Sequence, residues 1–198
     1  MQTVIDGKLN PDLGLVIKGS LWLRGTSITE LPEGLKVSGN LYLRETKVTK
    51  LPSGLSVDGN LDLEKTQIDE LPEGLKVGGY LDLQDTKVTQ LPEGLTVDTS
   101  LGLGGTHITK FPKSISIGKY LYLKRTKITH NQIDYTWDDG NNAICLDLKN
   151  KIIYCGRRFN GTKDEVIATI TKKYGKVKRD FYIAKVNQCF ELINALTC

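Results

Sequence analysis

"LPEGLKVGGYLDLQDTKVTQ" runs from Leu71 to Gln90, and "LPEGLKVSGNLYLRETKVTK" runs from Leu31 to Lys50. Working outward from this pair, Thr26, Thr46, Thr66, Thr86, Thr106 and Thr126 fall at a constant spacing of twenty. The leucine pairs Leu21/Leu23, Leu41/Leu43, Leu61/Leu63, Leu81/Leu83, Leu101/Leu103 and Leu121/Leu123 keep the same phase. So does the β-branched row Ile28, Val48, Ile68, Val88, Ile108 and Ile128. Six registers without an insertion predict a solenoid with one coil per twenty residues.

The physics of one coil follows from its letters. In "LYL" or "LDL" the alternate leucines point one way, as in a short strand. Leu35, Val37, Leu41, Leu43, Val48 and Leu51 all turn inward, and only stacked neighbouring coils bury them from both sides. Strands of successive coils then pair in parallel. The recurring threonine points inward, with its hydroxyl bonded to loop backbone of its own or the next coil. Pro32, Pro52, Pro72, Pro92 and Pro112 mark corners. Gly34, Gly54, Gly74 and Gly94 follow two residues later and suggest a turn. A second glycine row (Gly19, Gly39, Gly59, Gly79) gives way to Thr99 and Lys119, which favours close backbone approach over a required positive φ.

The pattern LPxGLxVxGxLxLxxTxVTx resembles the short leucine-rich repeats of bacterial and phage proteins. It is similar to the repeats of the secreted ubiquitin-ligase effectors of enteric bacteria, with threonine where those repeats carry asparagine. The resemblance covers roughly residues 9–130. No counterpart of a ligase domain follows, so ligase activity is not implied. Phage and prophage repeat proteins that end in a small cap are the nearer likeness, and they imply an accessory role in infection. A horseshoe and a straighter β-helix both fit, since no coil carries an obvious helix on its return side.

Residues 131–198 break the repeat. "AICLDL" and "KIIYC" predict a hairpin around Lys149–Asn150. Cys145 and Cys155 are placed to face each other across it. "NGTKDEVIATITKKYG" opens with a capping box of Thr162 and Glu165, carries an apolar face of Val166, Ile167, Ile170 and Tyr174, and stops at Gly175. A second helix is expected from about Asp180, with Ile183, Val186, Phe190 and Ile193 on one face. The expected class is therefore a mainly β leucine-rich-repeat solenoid with a small α+β cap. Its parts are an N-terminal cap over residues 1–8, the solenoid over 9–130 and the C-terminal cap over 131–198.

The net charge of +4 over 198 residues does not by itself point to nucleic acid or membrane. No run approaches the roughly 18 apolar residues of a membrane span. The start lacks a basic region followed by an apolar run, so a cytoplasmic protein of a bacterial host is expected. The four cysteines form no CxxC, and the two histidines lie upstream of them. No metal site and no cofactor are expected. No nucleophile elbow, P-loop, zincin or dinucleotide fingerprint occurs, so a catalytic site is not expected either.

If the constant letters build the rod, the variable ones are what a partner meets. Residues flanking and between the leucines point to the outer, concave face. Trp22 and Tyr42 stack in adjacent rows beside Arg24 and Arg44, the combination that protein-binding hot spots favour. Asp62 and Asp82 lie one strand apart with like charge, which costs up to about 1 kcal/mol unless a cation or a basic group offsets it. Gly102 and Gly104 leave a notch walled by Tyr80 on one side and by Tyr120 and Tyr122 on the other, and Lys124 belongs to the row of those two tyrosines. The expected function is protein binding through this face, blocking a host protein, with defence components as one class of target. A second surface, Arg157, Arg158, Lys172, Lys173, Lys178 and Arg179, falls in a segment (156–180) of net charge +5. It supports the alternative of nucleic-acid binding. A self-associating structural protein is the third reading, kept by open solenoid edges.

Overall fold

The computed structural model describes residues 3–126, 129–130, 133–134, 144–155 and 159–197. They form a parallel-strand β-solenoid, a terminal strand hairpin and two helices. Each coil contributes two short strands. The long ladder contains Leu21–Trp22, Leu41–Tyr42, Leu61–Asp62, Leu81–Asp82, Ser100–Gly102 and Tyr120–Tyr122, paired in parallel at a shift of twenty. On the return side Val16–Ile17, Lys36–Val37, Ser56–Val57, Lys76–Val77, Thr96–Val97 and Ser116–Ile117 pair in the same way. Both sides of the coil therefore advance by the strand spacing. A horseshoe curves because a wide helical side opposes a narrow strand side. The described repeats contain no such helix, so the concave face expected from the sequence is better described as the outer face of the long ladder.

The core is a stack of identical layers. Leu41, Leu43, Leu61, Leu63, Leu81 and Leu83 are fully buried, as are Val48, Ile68 and Val88. Each leucine lies over its counterpart one coil away. The threonine row closes each coil on itself. The Thr46 hydroxyl donates to the Leu43 carbonyl at 2.7 Å, with the same bond and length at Thr26, Thr66, Thr86 and Thr106. The same carbonyl also accepts the threonine's own backbone N–H, at 3.1 Å for Thr46, so side chain and backbone together close the turn.

Two turns shape each coil. At the proline corner the Leu35 N–H donates to the Pro32 carbonyl at 3.3 Å, and Gly34 sits at φ 72°. After the long ladder the chain again enters left-handed space, at Glu45, Lys65, Asp85 and Arg125 (φ 53–61°) and at Gly25 and Gly105. In the other glycine row Gly39, Gly59 and Gly79 work by proximity, whereas Gly19 in the first coil takes φ 101° with open space around it. A methyl group on Gly39 would stand 2.6 Å from the Gly19 carbonyl carbon, and one on Gly59 2.7 Å from that of Gly39. Thr99 and Lys119 break this approach, and there the strands start one residue earlier, at Ser100 and Tyr120.

At the N-terminal end Val4–Ile5 and Lys8–Leu9 form a small antiparallel pair whose Gly7 carbonyl accepts the Thr29 N–H at 2.7 Å. At the other end the hairpin strands Ile144–Asp147 and Ile152–Cys155 extend the long ladder antiparallel, followed by Phe159–Gly161. The cap thus continues the solenoid's own sheet. Its register pairs Cys145 with Tyr154 and Ile144 with Cys155, so the two cysteines are one step out of opposition, correcting the facing pair expected from the sequence. Helix α1, Lys163–Lys173, carries the Thr162/Glu165 capping box and buries Val166 and Ile170. Helix α2, Lys176–Thr197, begins four residues before the expected Asp180 and buries Val186, Phe190 and Ile193. Among the described residues no helix is long and apolar enough to cross a membrane.

Candidate protein-binding face

The outer face of the long ladder is built by the residues that alternate with the buried leucines. At its N-terminal end Trp22 and Tyr42 are Cα partners, and their rings stack with centroids 4.1 Å apart at 20°. Trp22 is 68% exposed. The Tyr42 hydroxyl accepts from Asn40 Nδ2 at 2.8 Å, which fixes the lower ring. Arg24 lies 3.8 Å from Glu45, and Arg44 is tied to Glu64 and, at 3.4 Å, to Glu45. Stacked aromatics beside held guanidinium groups make a rigid, part-apolar, part-cationic surface. Tyr42 and Arg44, each tied to neighbouring side chains, have little further freedom to lose on binding.

The middle of the face is acidic. Asp62 and Asp82 are Cα partners, as the repeat predicts. Asp62 Oδ1 accepts the Glu64 N–H and Asp82 Oδ1 the Gln84 N–H, each at 3.0 Å. Gln84 Nε2 also donates to Asp82 Oδ2 at 3.2 Å. Burial raises the Asp82 pKa, and the charges of Asp62 and Glu64 add to this. The bonds from Gln84 oppose it. Among the described residues, Asp62, Glu64 and Asp82 are the group whose ligand atoms come close enough, within 4.8 Å, to hold a cation. Arg44, bound to Glu64, already supplies a positive charge there.

The notch expected at Gly102 and Gly104 is filled. A methyl group on Gly102 would stand 2.1 Å from the Tyr80 hydroxyl oxygen, and one on Gly104 2.9 Å from Gln84 Oε1. The glycines thus accommodate side chains of the preceding coil. Burial raises the Tyr80 phenol above the ordinary tyrosine range, and the adjacent Asp82 carboxylate adds to this. Tyr122 meets Tyr80 edge-on at 6.1 Å and Tyr120 at 6.2 Å. A shallow cavity of about 200 Å³ remains between Tyr80, Ser100 and Tyr122. Lys124 sits half-buried one row away. Burial pushes the Cys145 thiol, which neighbours Tyr122, up to about 11. Larger hollows, of about 460 Å³ near Glu70 and Pro92 and about 390 Å³ near Glu30 and Pro32, lie at the corner of different coils. They are grooves that the repeat generates wherever it turns.

Three features of this face are not apparent from single coils. Ser20, Asn40 and Asn60 look like variable surface letters, yet their side chains accept the backbone N–H of the next coil: Asn40 at 3.0 Å, Asn60 at 2.8 Å and Tyr80 at 2.8 Å. An asparagine ladder therefore exists, displaced from the position where the threonines stand. Glu45 gathers Arg24, Arg44 and, at 3.9 Å, Lys65 into one charge network. The Tyr80 ring crosses from its own coil to the next.

The structure places Trp22, Arg24, Tyr42 and Arg44 together, Asp62 and Asp82 together, and Tyr80, Tyr120 and Tyr122 together. Of the second surface, Lys172 and Lys173 end α1, and Lys178 and Arg179 lie in the first turn of α2. Arg157 and Arg158 lie outside the described residues. In comparisons with protein-family models, curated proteins and solved structures, none matches this chain.

Proposed function

We propose that this protein is a recognition scaffold without a catalytic site, which binds a partner protein through the outer face of its long ladder. The observation that carries this reading is the exposed Trp22 ring stacked on Tyr42 at 4.1 Å, on a rigid strand pair and flanked by Arg24 and Arg44. An exposed tryptophan costs solubility, and its stack serves recognition by offering a large flat contact already held in place. The acidic centre and the tyrosines around Tyr122 extend the contact along the rod. The likeness of the repeats to those of phage and prophage proteins favours a bacterial host protein as partner, blocked by occupation of its surface.

The test is capture from bacterial lysate on immobilised wild type beside the Trp22→Ala/Tyr42→Ala variant. A host protein retained by wild type and lost with the variant supports the reading. Retention of the same proteins by both contradicts it.

A further inference from the structure

Away from the ladder face, the junction of α1 and α2 concentrates charge and exposed apolar surface in one short segment. Lys172, Lys173, Lys176, Lys178 and Arg179 fall within eight consecutive residues. Arg179 pairs with Asp180 at 3.6 Å. Among the described residues none of the four lysines makes an ion pair. Three of the five cations stand in the first turn of α2, which holds no acidic residue. The helix dipole is positive there, so folding gains nothing from this placement, and an external anion meets lysines and helix N-terminus together.

The same turn exposes apolar side chains. Val177 is 85% exposed and Phe181, one turn on, 45%. They lie away from the face that packs Val186, Cys189, Phe190 and Ile193. The Lys185 ammonium lies 5.7 Å from the Phe181 ring centre. Lysines with long apolar stems around an aliphatic and an aromatic side chain form the pattern of a helix that lies in a membrane interface.

We propose that the first turns of α2, with the end of α1, dock this protein peripherally on an anionic lipid surface. Val177 and Phe181 enter the headgroup boundary, and the four lysines meet lipid phosphates. Nucleic acid explains less. Phosphate contacts would use the lysines but leave Val177, which has no ring to stack on a base, in water. The mild charge of the whole chain conceals the patch, because the remaining residues nearly cancel.

The test is sedimentation of the full chain with vesicles of phosphatidylglycerol and phosphatidylcholine in equal parts, beside vesicles of phosphatidylcholine alone. Wild type should sediment with the anionic vesicles only. Val177→Ser/Phe181→Ser, which keeps every charge and the buried face of α2, should weaken partitioning about tenfold. Each lysine changed to glutamine should weaken it about fivefold. Unaltered circular dichroism of each variant shows that the cap is folded. The proposal is overturned if wild type ignores anionic vesicles or if the Ser/Ser variant binds them as wild type does. It is equally overturned if duplex DNA strips wild type from the vesicles and binds the Ser/Ser variant with undiminished affinity. That result would make the patch a nucleic-acid surface. Trp22→Ala/Tyr42→Ala should sediment like wild type, which separates this surface from the ladder face.

Discussion

The phenol of Tyr80 lies over Gly102 of the next coil, its oxygen 2.1 Å from where a methyl group at position 102 would stand. The glycine therefore positions an aromatic side chain on the outer face of the long ladder. Gly102→Ala should displace the ring and cost about 1–3 kcal/mol in denaturant unfolding. In a Tyr80→Ala background the same change should cost far less, because the clashing atoms are gone. Equal costs in both backgrounds would show that Tyr80 does not fill this space.

Asp82 gives an unusual pH dependence. Burial raises its folded pKa above the ordinary value of 3.8, so the folded protein holds this proton more tightly than the unfolded chain. That contribution to stability is full at acidic pH and is lost as pH rises through the folded value. Asp82→Asn keeps an oxygen for the Gln84 N–H and removes the titration. Its stability relative to wild type should rise between acidic and neutral pH, as measured by urea unfolding across that range. A constant difference would refute the assignment.

The side chain of Asn60 accepts the Tyr80 N–H at 2.8 Å, which makes it a tie between coils. Asn60→Ala should cost about 1–2 kcal/mol, the price of a lost bond and an unmet half-buried donor. Hydrogen exchange at the Tyr80 amide should quicken in step.

Lys65 sits at φ 57° and Lys76 within the return-side ladder. Lys65→Gly relieves a left-handed backbone and should leave stability unchanged or raise it by up to about 1 kcal/mol. Lys76→Gly should lower stability by about 1 kcal/mol, since it only loosens a strand. Thermal unfolding of the two variants decides this.

Much of the fold is legible because the chain repeats its core. The phase of Thr46, Leu41 and Leu43 returns every twenty residues, and only stacked coils satisfy all three. The capping box at Thr162 is legible for a similar reason, since its two halves lie three residues apart. The start of α2 is not: Lys176 to Arg179 contribute no buried face, so the apolar pattern begins only further along. The Trp22–Tyr42 stack is visible in the alignment because both residues share a register. The Asn40 and Asn60 ladder is hidden by the variation of its row, which runs from serine through asparagine to tyrosine. The filling of the Gly102 site is hidden because a side chain's lean across coils depends on the space its neighbour leaves, which no single coil specifies.

Trp22 and Tyr42 are the proposed anchor of a protein-binding face. The most direct measurement is titration calorimetry of the captured partner against wild type and Trp22→Ala/Tyr42→Ala, with both proteins matched in melting temperature. Loss of an anchoring pair should weaken Kd by about thirtyfold or more, corresponding to roughly 2 kcal/mol. A Kd within about twofold of wild type would show that the partner binds elsewhere and that the stack serves only the ladder.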